Sequence, residues 1–252
     1  MADSKRILIP WSGGADSTLL VAEAMRRQER IWYCSFEAGQ PHTQIEAEEL
    51  ARVRLEDKLK RRFAESPELH RHRSKLVLDT SGTNMPMKQL PAWIMHLITM
   101  VADNGGNYYF DEIHLGYLLN DDAAYTAGPL QQAWHYLCLA IYGLDREPPK
   151  LKFPLLRLRK GQVLQELTSL GVLDLVSVCE LPQLYDEGWR QCGECPSCRK
   201  HNNAITELDA LNNIRWCGHL LVNYDHRTKN EVQETLDNTY VKSEDLTSEQ
   251  TS

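Results

Sequence analysis

The stretch WSGGADST, Trp11 to Thr18, follows directly on the apolar run ILIP. Gly13 and Gly14 have no side chains to obstruct close backbone approach, and they can take positive φ. Ser12, Ser17 and Thr18 add hydroxyl donors. Asp16 and Ser17 open the helix that follows, whose free N–H groups and dipole attract an anion. Such a turn is suited to holding phosphate. A second cluster can also do chemistry: Cys179, Cys192, Cys195 and Cys198, spaced C-x12-C-x2-C-x2-C. Four thiolates match tetrahedral zinc, and with every position filled the metal is closed to substrate. Four cysteines also suit an iron–sulfur cluster. The x2 spacing lets neighbouring cysteines chelate one ion from a tight turn, which Gly193 eases.

These clusters need elements to position them. RILIP reads as a strand, residues 16–28 as a helix, IWYCSF as a strand and residues 44–63 as a helix. KLVLD reads as the third strand and AWIMHLITMVAD as a helix apolar nearly all round. EIHLGY is the fourth strand, residues 129–142 a helix, KLKFPLL a short strand broken by Pro154, and KGQVLQEL the start of the next helix. This alternation implies an α/β fold, a doubly wound, mostly parallel sheet with helices on both faces. Ligands in such sheets bind beyond the carboxyl ends of the strands, where WSGGADST sits. The expected division is residues 1–172 for the nucleotide-binding α/β domain, 173–218 for a cysteine-bearing, helical subregion, and 219–252 for a polar segment. The last dozen residues are too polar to build a core and are expected to be disordered.

Composition narrows the classes. The chain is 42% apolar and 25% charged, as soluble globular proteins are. The start MADSKRILIP lacks a secretory apolar region, and a cytoplasmic location is expected. A net charge of -7 argues against a general nucleic-acid binder. Residues 52–75, with nine Lys/Arg against four Asp/Glu, are the one basic stretch, read as a solvated helix face and loop. Cys34, Cys138 and Cys217 lie in apolar or aromatic surroundings and read as small buried hydrophobes.

The glycine turn lacks the Gly-Lys-Ser/Thr ending of a Walker A loop and is not GxGxxG. It matches SGGxDS, the pyrophosphate loop of ATP pyrophosphatases. Together with the cysteine spacing it resembles the QueC family, the 7-cyano-7-deazaguanine synthases. FEAGQPHTQIEAEELA is similar to the family stretch that supplies Gly39, Gln40 and His42. GYLLNDDAAY is similar to the segment that supplies Gly116, Asp121 and Tyr125. PLLRLRK parallels the family's Pro-Leu-x4-Lys and puts Lys160 at a helix start near the phosphates. LDLV and CGECPSCR also fit, and the resemblance spans roughly residues 5–215.

The resemblance implies ATP, Mg²⁺ and Zn²⁺ as cofactors. Trp11, Ser12, Gly13, Gly14, Asp16, Ser17, Thr18 and Lys160 would bind the nucleotide. Asp16, Lys160 and Asp121 would be catalytic, and Gly39, Gln40, His42, Gly116 and Tyr125 would bind substrate. Cys179, Cys192, Cys195 and Cys198 would hold zinc. The implied reaction adenylates the carboxylate of 7-carboxy-7-deazaguanine and passes it to an amine, giving an amide or the nitrile. Two departures stand out. The family's polar triplet is replaced by Ala92, Trp93 and Ile94, and Tyr125 is followed by TAG in place of Pro-Asp-Cys. They leave open a QueC-like anti-phage enzyme that conjugates the deazapurine to a protein amine. A tRNA-modifying pyrophosphatase, using residues 52–75, is the reading from another class. No membrane is implied, and a homodimer is allowed.

Overall fold

The computed structural model describes residues 5–212, apart from 38–39, 67–68, 72–75, 78–93, 95, 103–107, 120, 122–125, 144–146 and 186–187. Its centre is a five-stranded parallel sheet. The strands are β1 (Arg6–Pro10), β2 (Arg30–Cys34), β4 (Leu69–Arg71), β6 (Glu112–His114) and β7 (Lys150–Lys152), in the order β4-β2-β1-β6-β7. Two short strands, β3 (Phe36–Glu37) and β5 (Leu76–Val77), pair with each other. A hairpin of β8 (Gln183–Tyr185) and β9 (Gly188–Arg190) lies further along the chain. The helices are α1 (Ala15–Arg26), α2 (His42–Arg62), α3 (Ala127–Tyr142), α4 (Lys160–Leu170) and α5 (Pro196–Asn212). Residues 96–100 are also helical.

Side chains alternate across a strand, and β1 shows what that does here. Ile7 and Ile9 enter one apolar core, with residues of α1, α2, α4 and α5. Leu8 enters the other, with Leu97, Ile98, Ile113, Trp134 and Cys138. Both faces of the sheet are thus covered, as the alternation of elements predicts. The order reverses at β1: the chain builds outward through β2 and β4, then returns to β6 on the other side. The crevice between the ends of β1 and β6 is the switch point where such sheets bind ligands.

One expected strand is displaced. The third strand of the sheet is Leu69–Arg71, and the described residues of KLVLD, Leu76–Val77, pair with Phe36–Glu37 outside that sheet. An edge strand with one buried residue, Leu69, carries little apolar pattern. It is held by its ladder with β2, by His70 stacked on Trp32, and by the Arg71–Glu49 ion pair to α2. Cys34 and Cys138 are buried as expected, and burial pushes both thiols up to about 12. Cys217 lies outside the described residues.

Candidate active site

The glycine turn sits between β1 and α1, at the switch point. Gly13 has φ +81°, and a Cβ there would stand 2.8 Å from the Glu48 carbonyl oxygen and 3.3 Å from Ala51 Cβ. Glycine is required twice over, by its backbone angle and by the closeness of α2. Gly14 N–H donates to Ser12 Oγ at 3.2 Å, and the Ser12 and Ser17 hydroxyls lie 3.2 Å apart. Ser17 Oγ–H donates to the Gly14 carbonyl at 3.2 Å. Ser12 is exposed at the lip of the turn, whereas Trp11 and Thr18 are buried and bonded to each other, indole N–H to Thr18 Oγ1 at 3.0 Å. Trp11 and Thr18 therefore build the floor of the turn, below Ser12.

Two further segments converge on this turn. After β6 the chain passes over it at Gly116, where a Cβ would lie 3.2 Å from the Ser17 nitrogen and 3.4 Å from Asp16 Cβ. From the other side comes α4, whose first residue, Lys160, places its ammonium 2.8 Å from each carboxylate oxygen of Asp16. The first turns of α1 and α4 are thus joined by one ion pair, and both helices present their positive ends here. Asp121 follows Gly116 in the same loop. One of its oxygens accepts from the Leu118 N–H at 2.7 Å, and the other faces Lys200 Nζ at 2.5 Å.

The cysteine turn closes the site from behind. Cys179, Cys192, Cys195 and Cys198 bring their sulfurs within 4.8 Å of one another. Backbone N–H groups point at them: Cys192 N to Cys179 Sγ at 3.2 Å, Cys195 N to Cys192 Sγ at 3.3 Å and Cys198 N to Cys195 Sγ at 3.4 Å. Such donors favour thiolate over thiol. Burial opposes them and raises Cys179 to about 11. At Cys192 burial also pulls upward, but N–H donors from Cys195 and Glu194 win and hold the thiol near 7. Gly193, at φ +77°, makes the turn. The donor set fits a metal ion that would replace these protons.

This turn is attached to the glycine loop. Ser177 N–H donates to the Gly13 carbonyl at 2.9 Å, and α5, which begins beside Cys195, packs along α4. The β8–β9 hairpin anchors on α2 through Trp189, which packs with Ala47 and Leu50.

The structure brings together Ser12, Gly13, Gly14, Asp16, Ser17, Lys160 and Gly116 of the residues singled out in the sequence. His42 opens α2 but keeps its imidazole mostly in solvent, 3.1 Å from Glu46. Gln40 is described just before α2; Gly39 and Tyr125 lie outside the described residues. So do Ala92 and Trp93, while Ile94 is buried in the core. Among the described residues of the basic stretch, Lys60 pairs with Glu56, Arg61 with Asp57, and Arg52 and Arg71 with Glu49. Four residues escape sequence reading: Glu49, Arg52, Ser177 and Lys200. A charged residue at a helical position facing the core was the available signal for Glu49 and Arg52.

A parallel sheet wound in this order, with SGGADS at its switch point, defines a pyrophosphate-loop nucleotide-binding protein of the α/β class. The family model described as queuosine biosynthesis protein QueC matches residues 6–209, and the chain belongs to the QueC family. A 7-cyano-7-deazaguanine synthase 2 of Rhodopseudomonas palustris (strain HaA2) is 24% identical over 219 residues, covering 81% of this chain and 98% of that protein. Among solved structures, a 4-thiouridine synthetase bound to RNA and ATP shares 15% identity at a TM-score of 0.46. That match covers 82% of this chain and 50% of the synthetase, so the chain spans half its length. The U34-tRNA thiolase NcsA of Methanococcus maripaludis, solved with its [4Fe-4S] cluster, shares 16% identity at a TM-score of 0.37 over 92% of this chain and 72% of that one. No helix among the described residues is long and apolar enough to cross a membrane.

Proposed function

We propose that the chain is an ATP-dependent carbon–nitrogen ligase that activates the carboxylate of 7-carboxy-7-deazaguanine as an acyl adenylate. The observation that carries this reading is the Asp16–Lys160 pair set over the glycine turn. The carboxylate oxygen attacks the α-phosphorus of ATP, and the bond from that phosphorus to the bridging oxygen breaks, releasing pyrophosphate. An anion must approach a polyanion, so catalysis depends on prepositioned positive groups. The N–H groups of the turn, the two helix ends and Lys160 supply them. Phosphate oxygens compete with Asp16 for the Lys160 ammonium. The Asp16 carboxylate would be a residue able to hold Mg²⁺, and a bound Mg²⁺ would neutralise departing charge. An amine nitrogen next attacks the acyl carbon, loses a proton, and expels AMP to leave an amide. With ammonia, the amide oxygen is open to a second activation that leads to the nitrile.

The cysteine set is read as a zinc site. With Zn–S bonds near 2.3 Å, the sulfurs of a tetrahedron stand about 3.8 Å apart. The observed set, none farther apart than 4.8 Å, suits a single ion. Its role is to fasten the loop behind the glycine turn, since a closed site leaves no position for substrate.

Incubation with 7-carboxy-7-deazaguanine, ATP and ammonium, followed by mass spectrometry, tests the reading. An amide or nitrile of the deazapurine supports it. A product found only when a peptide amine replaces ammonium keeps the adenylation and moves the acceptor. No deazapurine product with any amine overturns it.

A further inference from the structure

We infer that Arg52 is a positioning residue that holds the glycine turn in its anion-binding form. The inference rests on the phosphate-binding reading of that turn. A backbone turn binds an anion when its N–H groups face outward and its carbonyls face away. Here three carbonyls around the turn are tied from behind. The Gly14 carbonyl accepts from Thr18 N–H at 3.0 Å, inside α1, and the Gly13 carbonyl accepts from Ser177 N–H at 2.9 Å. The Trp11 carbonyl, at the entry to the turn, accepts from Arg52 Nη1 at 3.2 Å. That tie comes from a side chain of α2, while the Ser17 hydroxyl of α1 adds a second bond to the Gly14 carbonyl.

Arg52 is held in turn. Its side chain is 5% exposed and pairs through Nη2 with Glu49, itself 7% exposed. The opposite face of the same carboxylate receives Arg71 from the end of β4, Nη1 to Oε1 at 2.7 Å and Nη2 to Oε2 at 3.1 Å. Burial alone would raise the Glu49 carboxyl, but the two guanidiniums hold it below its ordinary range. The chain from Arg71 through Glu49 and Arg52 to Trp11, and by the indole N–H to Thr18, is continuous. It runs from the sheet edge to the first turn of α1.

Stability does not account for this arrangement. A buried ion pair is commonly matched or exceeded by apolar side chains of similar volume. Arg52 also keeps its Nε buried with no hydrogen-bond partner. A guanidinium is therefore maintained where an apolar residue would fill the space, and the contact it adds is the one to the Trp11 carbonyl. Arg52 Cγ lies against Gly13 as well, 3.4 Å from where a Cβ would stand. Charge is not its contribution to phosphate binding, since Glu49 and Glu48 (4.0 Å away) offset it.

The test measures binding of inorganic pyrophosphate and of ATP by calorimetry to wild type, R52K and the double variant E49Q/R52M. The double variant removes both buried charges together and so leaves no orphan on that pair. A lysine ammonium has no fork with which to serve Glu49 and the Trp11 carbonyl at once. Both variants are expected to lose about tenfold or more in pyrophosphate affinity, the scale of one hydrogen bond to a charged group. Their metal content and affinity for the deazapurine acid are expected to stay as in wild type. A merely structural role would lower the melting temperature and leave pyrophosphate affinity of the folded chain unchanged. Unchanged affinity in either folded variant, with wild type binding, overturns this inference alone. Wild type that binds neither pyrophosphate nor ATP overturns the phosphate reading along with it.

Discussion

The glycine turn and the cysteine turn each use a positive-φ glycine, Gly13 and Gly193, yet they are held by opposite means. Gly13 is pressed under α2, with Trp11, Thr18 and Arg52 buried beneath it. Among the described residues nothing stands within 4 Å of a Cβ built on Gly193, and backbone N–H donors point at the sulfurs around it. The first turn is shaped by core packing and needs no ligand to exist. The second has few apolar neighbours, and on the proposed zinc reading the metal would supply its stability. A site that must present backbone N–H groups in a fixed order gains from rigidity imposed by the core. A site that only fastens a loop can leave that task to a metal.

The largest test of this contrast removes a thiol. Cys195→Ser is expected to abolish metal binding and to unfold the segment from Cys179 to α5, because structural zinc supplies on the order of 10 kcal/mol to small folds. Metal analysis and thermal unfolding read this. Iron with acid-labile sulfide in the wild type would overturn zinc. Next in size are Asp16→Ala and Ser12→Ala. Each should lower pyrophosphate release by roughly 100-fold or more, the scale of losing one prepositioned electrostatic group, with the fold retained. Near-normal turnover in either variant would remove the glycine turn from the chemistry.

Gly13→Ala comes third. The added Cβ must adopt a left-handed angle and clear the Glu48 carbonyl, at a cost of roughly 2–3 kcal/mol, measured by denaturant unfolding. The matching Gly193→Ala meets open space and should cost only its backbone angle, about 1–2 kcal/mol. Equal losses at both positions would erase the contrast between a packed turn and an open one.

The smallest effect lies where the two regions meet. His201, on α5, is buried, and burial first, then the nearby Lys160 charge, hold its imidazole down to about 4. The unfolded chain keeps the ordinary value of 6.5. Between the two, the unfolded state binds the extra proton, so stability falls as pH drops below about 6.5 and continues to fall to about 4. The loss from this group should reach about 1 kcal/mol by about pH 6. His201→Leu should flatten that part of the stability–pH curve, and an unaltered slope would mean that His201 is not buried neutral.

Both turns were legible in the sequence because their residue types are unusual at their spacing. The double glycine after an apolar run and the four cysteines each announce a chemistry without reference to the fold. Lys160 was legible only through the family resemblance, since a lysine at a helix start is ordinary; its meeting with Asp16 joins residues 144 apart. Glu49, Arg52 and Arg71 gave no such signal. Arg52 and Arg71 read as part of a basic, solvated helix face and loop, Glu49 was not singled out, and burial depends on α2 lying against the glycine turn, which is a tertiary fact. The strand Leu69–Arg71 was hidden for a related reason, as its edge position is specified by the ladder with β2, the stacking of His70 on Trp32 and an ion pair to α2 more than by apolar alternation.

The central claim is that the glycine turn holds ATP for cleavage at the α-phosphorus, driven by a deazapurine carboxylate. The most direct measurement is the nucleotide product formed with ATP in the presence and absence of 7-carboxy-7-deazaguanine. AMP and pyrophosphate in equal amounts, formed only with the acid present, are the predicted result. ADP and phosphate, or AMP formed at the same rate without the acid, would contradict it.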